Sequence, residues 1–251
     1  MLESLRRIGI IFLIGVLCIG GSYFNLFIRR AAILFWEEPY PARKDICLEK
    51  HLKDKQMLSH TPDGAVIICG DSLMDFWLRD APDSWERLMA PLGCANVATD
   101  GDTIGNLRWR IRDGLFGHLK PSMVVICIGT NNISMNAPDW LVFRGLKDLV
   151  GELRERFDES VSLVLIPPFN AGENTSMEGF RGKMMKEPWG QNIFICPLYK
   201  DLQEENLIRA KHEYMADSVH LSRAGYERIA VSLSRFIKNK REAAQSGRCG
   251  Q

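Results

Sequence analysis

The chain has almost no net charge: 32 basic and 31 acidic side chains over 251 residues leave +1 at pH 7. Without a basic excess there is no global electrostatic case for a nucleic-acid partner. CxxC pairs are absent, and seven cysteines are an odd number, unlike the even framework of a small disulfide scaffold. No His/Cys/Asp/Glu cluster has metal-ligand spacing. No glycine-rich phosphate loop follows a strand in the required pattern, so neither a metal nor a nucleotide cofactor is implied. Repeats and disorder-prone tracts are missing too; the 46% hydrophobic and 25% charged content is that of an ordinary globular protein. Cys69, Cys127 and Cys196 sit in or beside apolar runs, which predicts buried, free thiols and mildly favours a reducing compartment.

One stretch lacks charge altogether. From Ile8 to Ile28 there is no charged residue, and Arg6-Arg7 and Arg29-Arg30 bracket the run. About 21 residues at about 1.5 Å each span about 31 Å, the thickness of a bilayer core, so a transmembrane helix is expected within residues 1–30. A signal peptide is the main rival, although its apolar core would be shorter. A buried helix of a soluble core is the bland alternative, weakened by Gly9, Gly15, Gly20 and Gly21. Counting Arg29, Arg30, Arg43 and Lys44 against Arg6 and Arg7 slightly favours a cytoplasmic catalytic part, but long translocated domains override such counts. The expectation is a single-pass membrane protein with its catalytic domain outside the cytoplasm, on the periplasmic side.

Residues 31–62 read as a juxtamembrane linker with a short helix around Ile46 to Leu58. Thereafter strand and helix patterns alternate. Ala65 to Cys69 is a continuous apolar run stopped by Gly70-Asp71-Ser72, the pattern of a strand buried on both faces. Cys94 to Val97, Met123 to Ile128, Val161 to Ile166 and Asn192 to Cys196 are further strands, the second of them stopped by the turn residues Gly129-Thr130-Asn131-Asn132. Between them lie a helix start near Asp83 and a helix capped by Asp102-Thr103 with Ile104, Leu107 and Ile111 on one face. A long helix runs from Pro138 to Phe157. Phe169 to Gln191 reads as a loop with a helical insert, and Ser222 to Ile237 as the last helix, faced by Tyr226, Ile229, Ala230, Leu233 and Ile237. This alternation predicts one α/β domain over residues 63–240, a doubly wound, flavodoxin-like parallel sheet of about five strands with helices on both faces. Residues 241–251 read as a polar tail.

Four element boundaries hold polar residues of types that could cooperate: Ser72, the Asp100-Gly101-Asp102 turn, Asn131, and Asp217-Ser218-Val219-His220. An ester hydrolase needs a nucleophile, a base, a group that orients the base, and donors for the oxyanion, and each role has a candidate. Here the sequence resembles the SGNH hydrolases, also called GDSL esterases and lipases, over Gly64 to Ile237. The blocks are Gly70-Asp71-Ser72-Leu73, Gly101 within Asp100-Gly101-Asp102-Thr103, Gly129-Thr130-Asn131-Asn132, and Asp217-Ser218-Val219-His220-Leu221. The glycine and asparagine blocks look most like the branch holding the platelet-activating-factor acetylhydrolase catalytic subunits and many bacterial acyl esterases.

The resemblance implies that Ser72 is the nucleophile, His220 its base and Asp217 the orienting carboxylate. The Ser72 and Gly101 backbone N–H groups and the Asn131 side-chain amide would form the oxyanion hole. Asp71 and Asp102 are expected as structural acceptors for backbone N–H groups. His51, His60, His118 and His212 are expected at the surface. The function implied is hydrolysis of a small acyl ester, acetyl first, on a carbohydrate or cell-surface substrate. A lysophospholipase or thioesterase acting on longer chains is the alternative, suited by Phe76-Trp77-Leu78 beside Ser72. A retired fold that only binds a glycan or partner is the third reading. Oligomeric state is not encoded in any of these features.

Overall fold

The computed structural model describes residues 45–169, 175–203 and 210–248. The expected membrane span therefore lies outside the described residues, and among those described no helix is long and apolar enough to cross a membrane.

The expected short helix is α1, Asp45–Ser59. It is followed by β1 (Val66–Gly70), α2 (Ser72–Asp75), α3 (Trp77–Asp80) and α4 (Pro82–Leu88). Next come β2 (Cys94–Asn96), α5 (Ile104–Arg112), β3 (Met123–Cys127) and α6 (Thr130–Ser134). The chain continues through α7 (Asp139–Arg156), β4 (Ser162–Leu165), α8 (Thr175–Lys186) and β5 (Ile193–Ile195). It closes with α9 (Tyr199–Leu202) and α10 (Arg223–Arg248).

All five strands pair in parallel in the order β2-β1-β3-β4-β5. This is the flavodoxin-like order, whose switch point between β1 and β3 opens a crevice at the carboxyl ends of the strands. The strands carry apolar residues continuously because both faces are covered. On one face Ile67, Cys69, Val124, Ile126, Leu163 and Leu165 pack with side chains of α5, α7 and α8 and with Leu58 of α1. On the other, Val66, Ile68, Val125, Cys127 and Val164 pack with Trp77, Trp85 and the α10 residues Tyr226, Ile229, Leu233 and Ile237. Cys69, Cys127 and Cys196 are buried and free, and burial pushes the Cys69 and Cys196 thiols up to about 12.

Three expectations are corrected. Helix α10 runs to Arg248, through most of the segment expected as a tail. Arg241 fastens it by donating to the Leu92 carbonyl at 2.8 Å and the Gly64 carbonyl at 3.1 Å. His51 is buried rather than at the surface, since α1 turns it inward onto Asp113 at 2.9 Å and against the Trp109 ring. The asparagine block, expected as a turn, starts α6 directly: Gly129, at φ +115°, takes the left-handed conformation needed to enter the helix.

Candidate active site

The site begins where β1 and β3 stop together. Gly70 pairs with Cys127, and a Cβ on Gly70 would collide with the Cys127 carbonyl oxygen, so the two strand ends approach as closely as only glycine permits. Asp71 then caps α2, its extended backbone letting Oδ1 accept the Leu73 N–H at 3.1 Å. Ser72 thus heads a helix, and no described residue accepts its backbone N–H. Burial pushes the Asp71 carboxyl up to about 7 against the pull of the Leu73 N–H. Asp71 acts as the structural acceptor the sequence suggested.

The Ser72 hydroxyl lies 3.0 Å from His220 Nε2, and His220 Nδ1 lies 2.8 Å from Asp217 Oδ2. A tight turn makes this pairing local: Asp217 Oδ1 accepts the backbone N–H groups of Val219 at 2.7 Å and His220 at 2.6 Å. Partial burial would raise the Asp217 carboxyl, but those two N–H groups and the imidazole outweigh it and hold it at about 2. The Phe76 ring sits 5.0 Å from the imidazole and backs it on one side. Ser72, His220 and Asp217 therefore form a continuous chain, in which a neutral imidazole can take the hydroxyl proton and the carboxylate can stabilise the imidazolium.

The glycine block forms a turn beside Ser72. Thr99 N–H donates to the Gly70 carbonyl at 3.0 Å and Asp102 N–H to the Thr99 carbonyl at 3.1 Å. Gly101 lies within this turn at φ +77°, and a Cβ there would meet nothing within 4 Å. Glycine is thus required by backbone conformation rather than by crowding, and the space over it is open. No described residue accepts the Gly101 N–H. The Asn131 side chain donates one amide hydrogen to the Asp102 carbonyl at 2.9 Å, leaving its second for a ligand. Asn132 accepts the Ile104 N–H at 3.0 Å, so it fastens the start of α5 and plays no part at the serine.

Two expectations change here. Asp102 does not accept a backbone N–H: its Oδ2 takes Nη1 of Arg110 at 2.9 Å. Trp77 does not face the serine with its neighbours but is fully buried, stacked on Tyr226 and edge-on to Trp85. Of the Phe76-Trp77-Leu78 cluster only Leu78, at 44%, is exposed. Residues around the site that sequence reasoning passed over are Asp75, whose Oδ2 accepts the Asp100 N–H at 2.9 Å, and Arg110, which is buried beneath the glycine turn. Arg110 stands three residues after Leu107, on the buried side of α5, and that spacing was its only signal in the sequence.

Comparison with known proteins shows the family and the fold. The family model of the GDSL-like lipase/acylhydrolase family matches residues 68–228. Platelet-activating factor acetylhydrolase IB subunit alpha2 of Rattus norvegicus is 31% identical over 190 residues, covering 74% of this chain and 78% of the relative. The alpha1 subunit of Bos taurus is 29% identical over 180 residues, covering 68% and 74%. In fold, the chain is similar to a GDSL-like lipase from Bacteroides thetaiotaomicron, with a TM-score of 0.63 at 17% identity over 76% of this chain and 98% of that one.

Proposed function

Because the chain belongs to the GDSL-like lipase/acylhydrolase family and is an ester-cleaving hydrolase, we propose that Ser72, His220 and Asp217 are its catalytic residues. Ser72 Oγ attacks the ester carbonyl while His220 Nε2 takes its proton, and Asp217 holds the Nδ1–H tautomer. Charge on the carbonyl oxygen is received by the Ser72 and Gly101 N–H groups and by the Asn131 amide. The alcohol leaves with the proton from Nε2, giving an acyl-serine. Water, activated by the same imidazole, then releases the acid and restores Ser72. The observation that carries this reading is the 3.0 Å contact between Ser72 and His220, 148 residues apart in the sequence, continued by the 2.8 Å contact from His220 to Asp217.

The substrate is read as a small acyl ester, acetyl first, on a carbohydrate or other cell-surface molecule. Support for the acyl group comes from the relatives, whose names describe acetylhydrolase subunits. The surface location is supported by the uncharged run from Ile8 to Ile28, read as a single membrane anchor with the catalytic domain outside the cytoplasm. A longer-chain lysophospholipase or thioesterase is favoured by exposed Leu78 near the serine, but buried Trp77 no longer supports it. Turnover of short against long p-nitrophenyl esters separates the two, a preference for long chains overturning the acetyl reading. Wild type should be labelled by a fluorophosphonate and Ser72→Ala should not. Retained turnover in Ser72→Ala would sink the mechanism. A reporter fused after Gln251 tests orientation, since activity only in the cytoplasm reverses it.

A further inference from the structure

We infer that α1 belongs to the catalytic unit, with Asp54 as a positioning residue that holds Arg110 against Asp102 and so sets the Gly101 N–H and the Asn131 amide over Ser72. Helix α1 lies outside the matched stretch 68–228, so nothing in the family assignment gives it a role. Yet it reaches the glycine turn and its supports from successive helical turns. Cys47 Sγ lies 3.9 Å from the Asp100 carbonyl. Lys50 Nζ stands 3.7 Å from Asp75, the carboxylate that accepts the Asp100 N–H. Asp54 Oδ2 accepts Nη2 of Arg110 at 2.6 Å, and Nη1 of the same guanidinium holds Asp102 at 2.9 Å.

The energetics make the Asp54 contact the decisive one. Arg110 is 2% exposed and carries one charge between two buried carboxylates, while its Nη2 also donates to the Val97 carbonyl at 2.7 Å. Lys50, 3.1 Å from Asp54, completes the charge balance. Asp102 Oδ1 has no hydrogen-bond partner among the described residues, so the hold on that carboxylate runs through Arg110. The Asp102 backbone in turn flanks Gly101 and accepts the Asn131 amide at 2.9 Å. Loss of Asp54 frees one side of the guanidinium in a region where an unmatched buried charge must reorganise. The displacement passes through Asp102 to both donors. Oxyanion donors act only at the transition state, so the effect belongs in kcat and not in KM.

This inference rests on the proposed esterase reading, with Gly101 and Asn131 as oxyanion donors, and its test separates failure of that reading from failure of the inference. With the full chain and p-nitrophenyl acetate, kcat, KM and the urea midpoint are measured for wild type, Ser72→Ala, Asp54→Asn, Asp54→Ala and Asp113→Asn. Asp113 anchors the same helix elsewhere, taking His51 at 2.9 Å and Lys55 at 3.1 Å. Asp54→Asn, which keeps an acceptor oxygen, is expected to lower kcat about tenfold with KM within about twofold, and Asp54→Ala to lower it further. Asp113→Asn is expected to lower the midpoint and leave kcat alone. If both Asp54 variants keep wild-type kcat while Ser72→Ala is inactive, α1 has no positioning role and the inference fails alone. It fails equally if Asp113→Asn loses as much kcat as Asp54→Asn. An active Ser72→Ala overturns the esterase reading and this inference together.

Discussion

The two loops that meet over Ser72 are held by opposite means. The turn bearing His220 is a surface device: Asp217 is 54% exposed, and its restraints are backbone N–H groups two and three residues away in its own loop. The glycine turn is held from beneath by a buried guanidinium and two buried carboxylates contributed by separate elements. The difference follows from what each loop does in the proposed mechanism. The imidazole must pick up and release a proton, which needs water nearby and a carboxylate that stays ionised. The oxyanion donors must not move at all, and a network of desolvated charges resists displacement more strongly than a solvated pair.

Breaking the first loop should therefore abolish chemistry and spare the fold. His220→Ala is expected to reduce kcat/KM about 10⁴-fold, while unfolding in urea shifts by no more than about 1 kcal/mol. A comparable loss of stability would show that the turn is part of the core's support. Breaking the second loop at its centre should cost the fold as well as the chemistry. Arg110→Met leaves Asp102 buried without its partner and Asp54 with Lys50 alone and is expected to destabilise the protein by about 3–5 kcal/mol. A loss under about 1 kcal/mol would mean the carboxylates find water and the network is not rigid. Asn131→Ala removes a donor with little buried charge at stake, so kcat should fall about 10²–10³-fold with the urea midpoint nearly unchanged.

The contrast also explains what could be read in advance. The serine turn is legible because β1 is a continuous apolar run with a fixed stop, and the Asp217–His220 contact is legible because both residues lie within a single turn. The α10 face followed from its spacing, and Thr103 does cap α5, through a reciprocal bond with Asn106. The buried network was not legible. Asp54 and Arg110 are 56 residues apart, on helices whose local patterns contain no hint of each other. Trp77 failed as a substrate-facing residue because α2 and α3 are four residues each, too short for periodicity to say which way a side chain points. His51 was misjudged for a related cause: one histidine among charged residues reads as surface until its partner Asp113 is brought against it.

The smallest expected effect lies in pH dependence, and its sign differs between exposed Asp217 and the buried Asp71 and Asp102. Asp217 is held at about 2, below its ordinary value of 3.8, so its stabilisation is present above that value and is lost as pH falls through about 2. Asp71 and Asp102 are pushed up by burial, to about 7 and about 6, so the folded state retains protons that the unfolded chain has released. Their contribution declines as pH rises from about 4 towards about 7. These groups contribute equally to wild type and Asp217→Asn, so the difference between the two isolates Asp217. Comparing wild type with Asp217→Asn by urea unfolding should then show a steeper acid limb in wild type. Screening at a half-exposed pair limits the difference to about 1 kcal/mol or less. Parallel curves between pH 4 and pH 2 would mean that the surface turn is not organised around an ionised carboxylate, and the distinction between the two loops would lose its electrostatic basis.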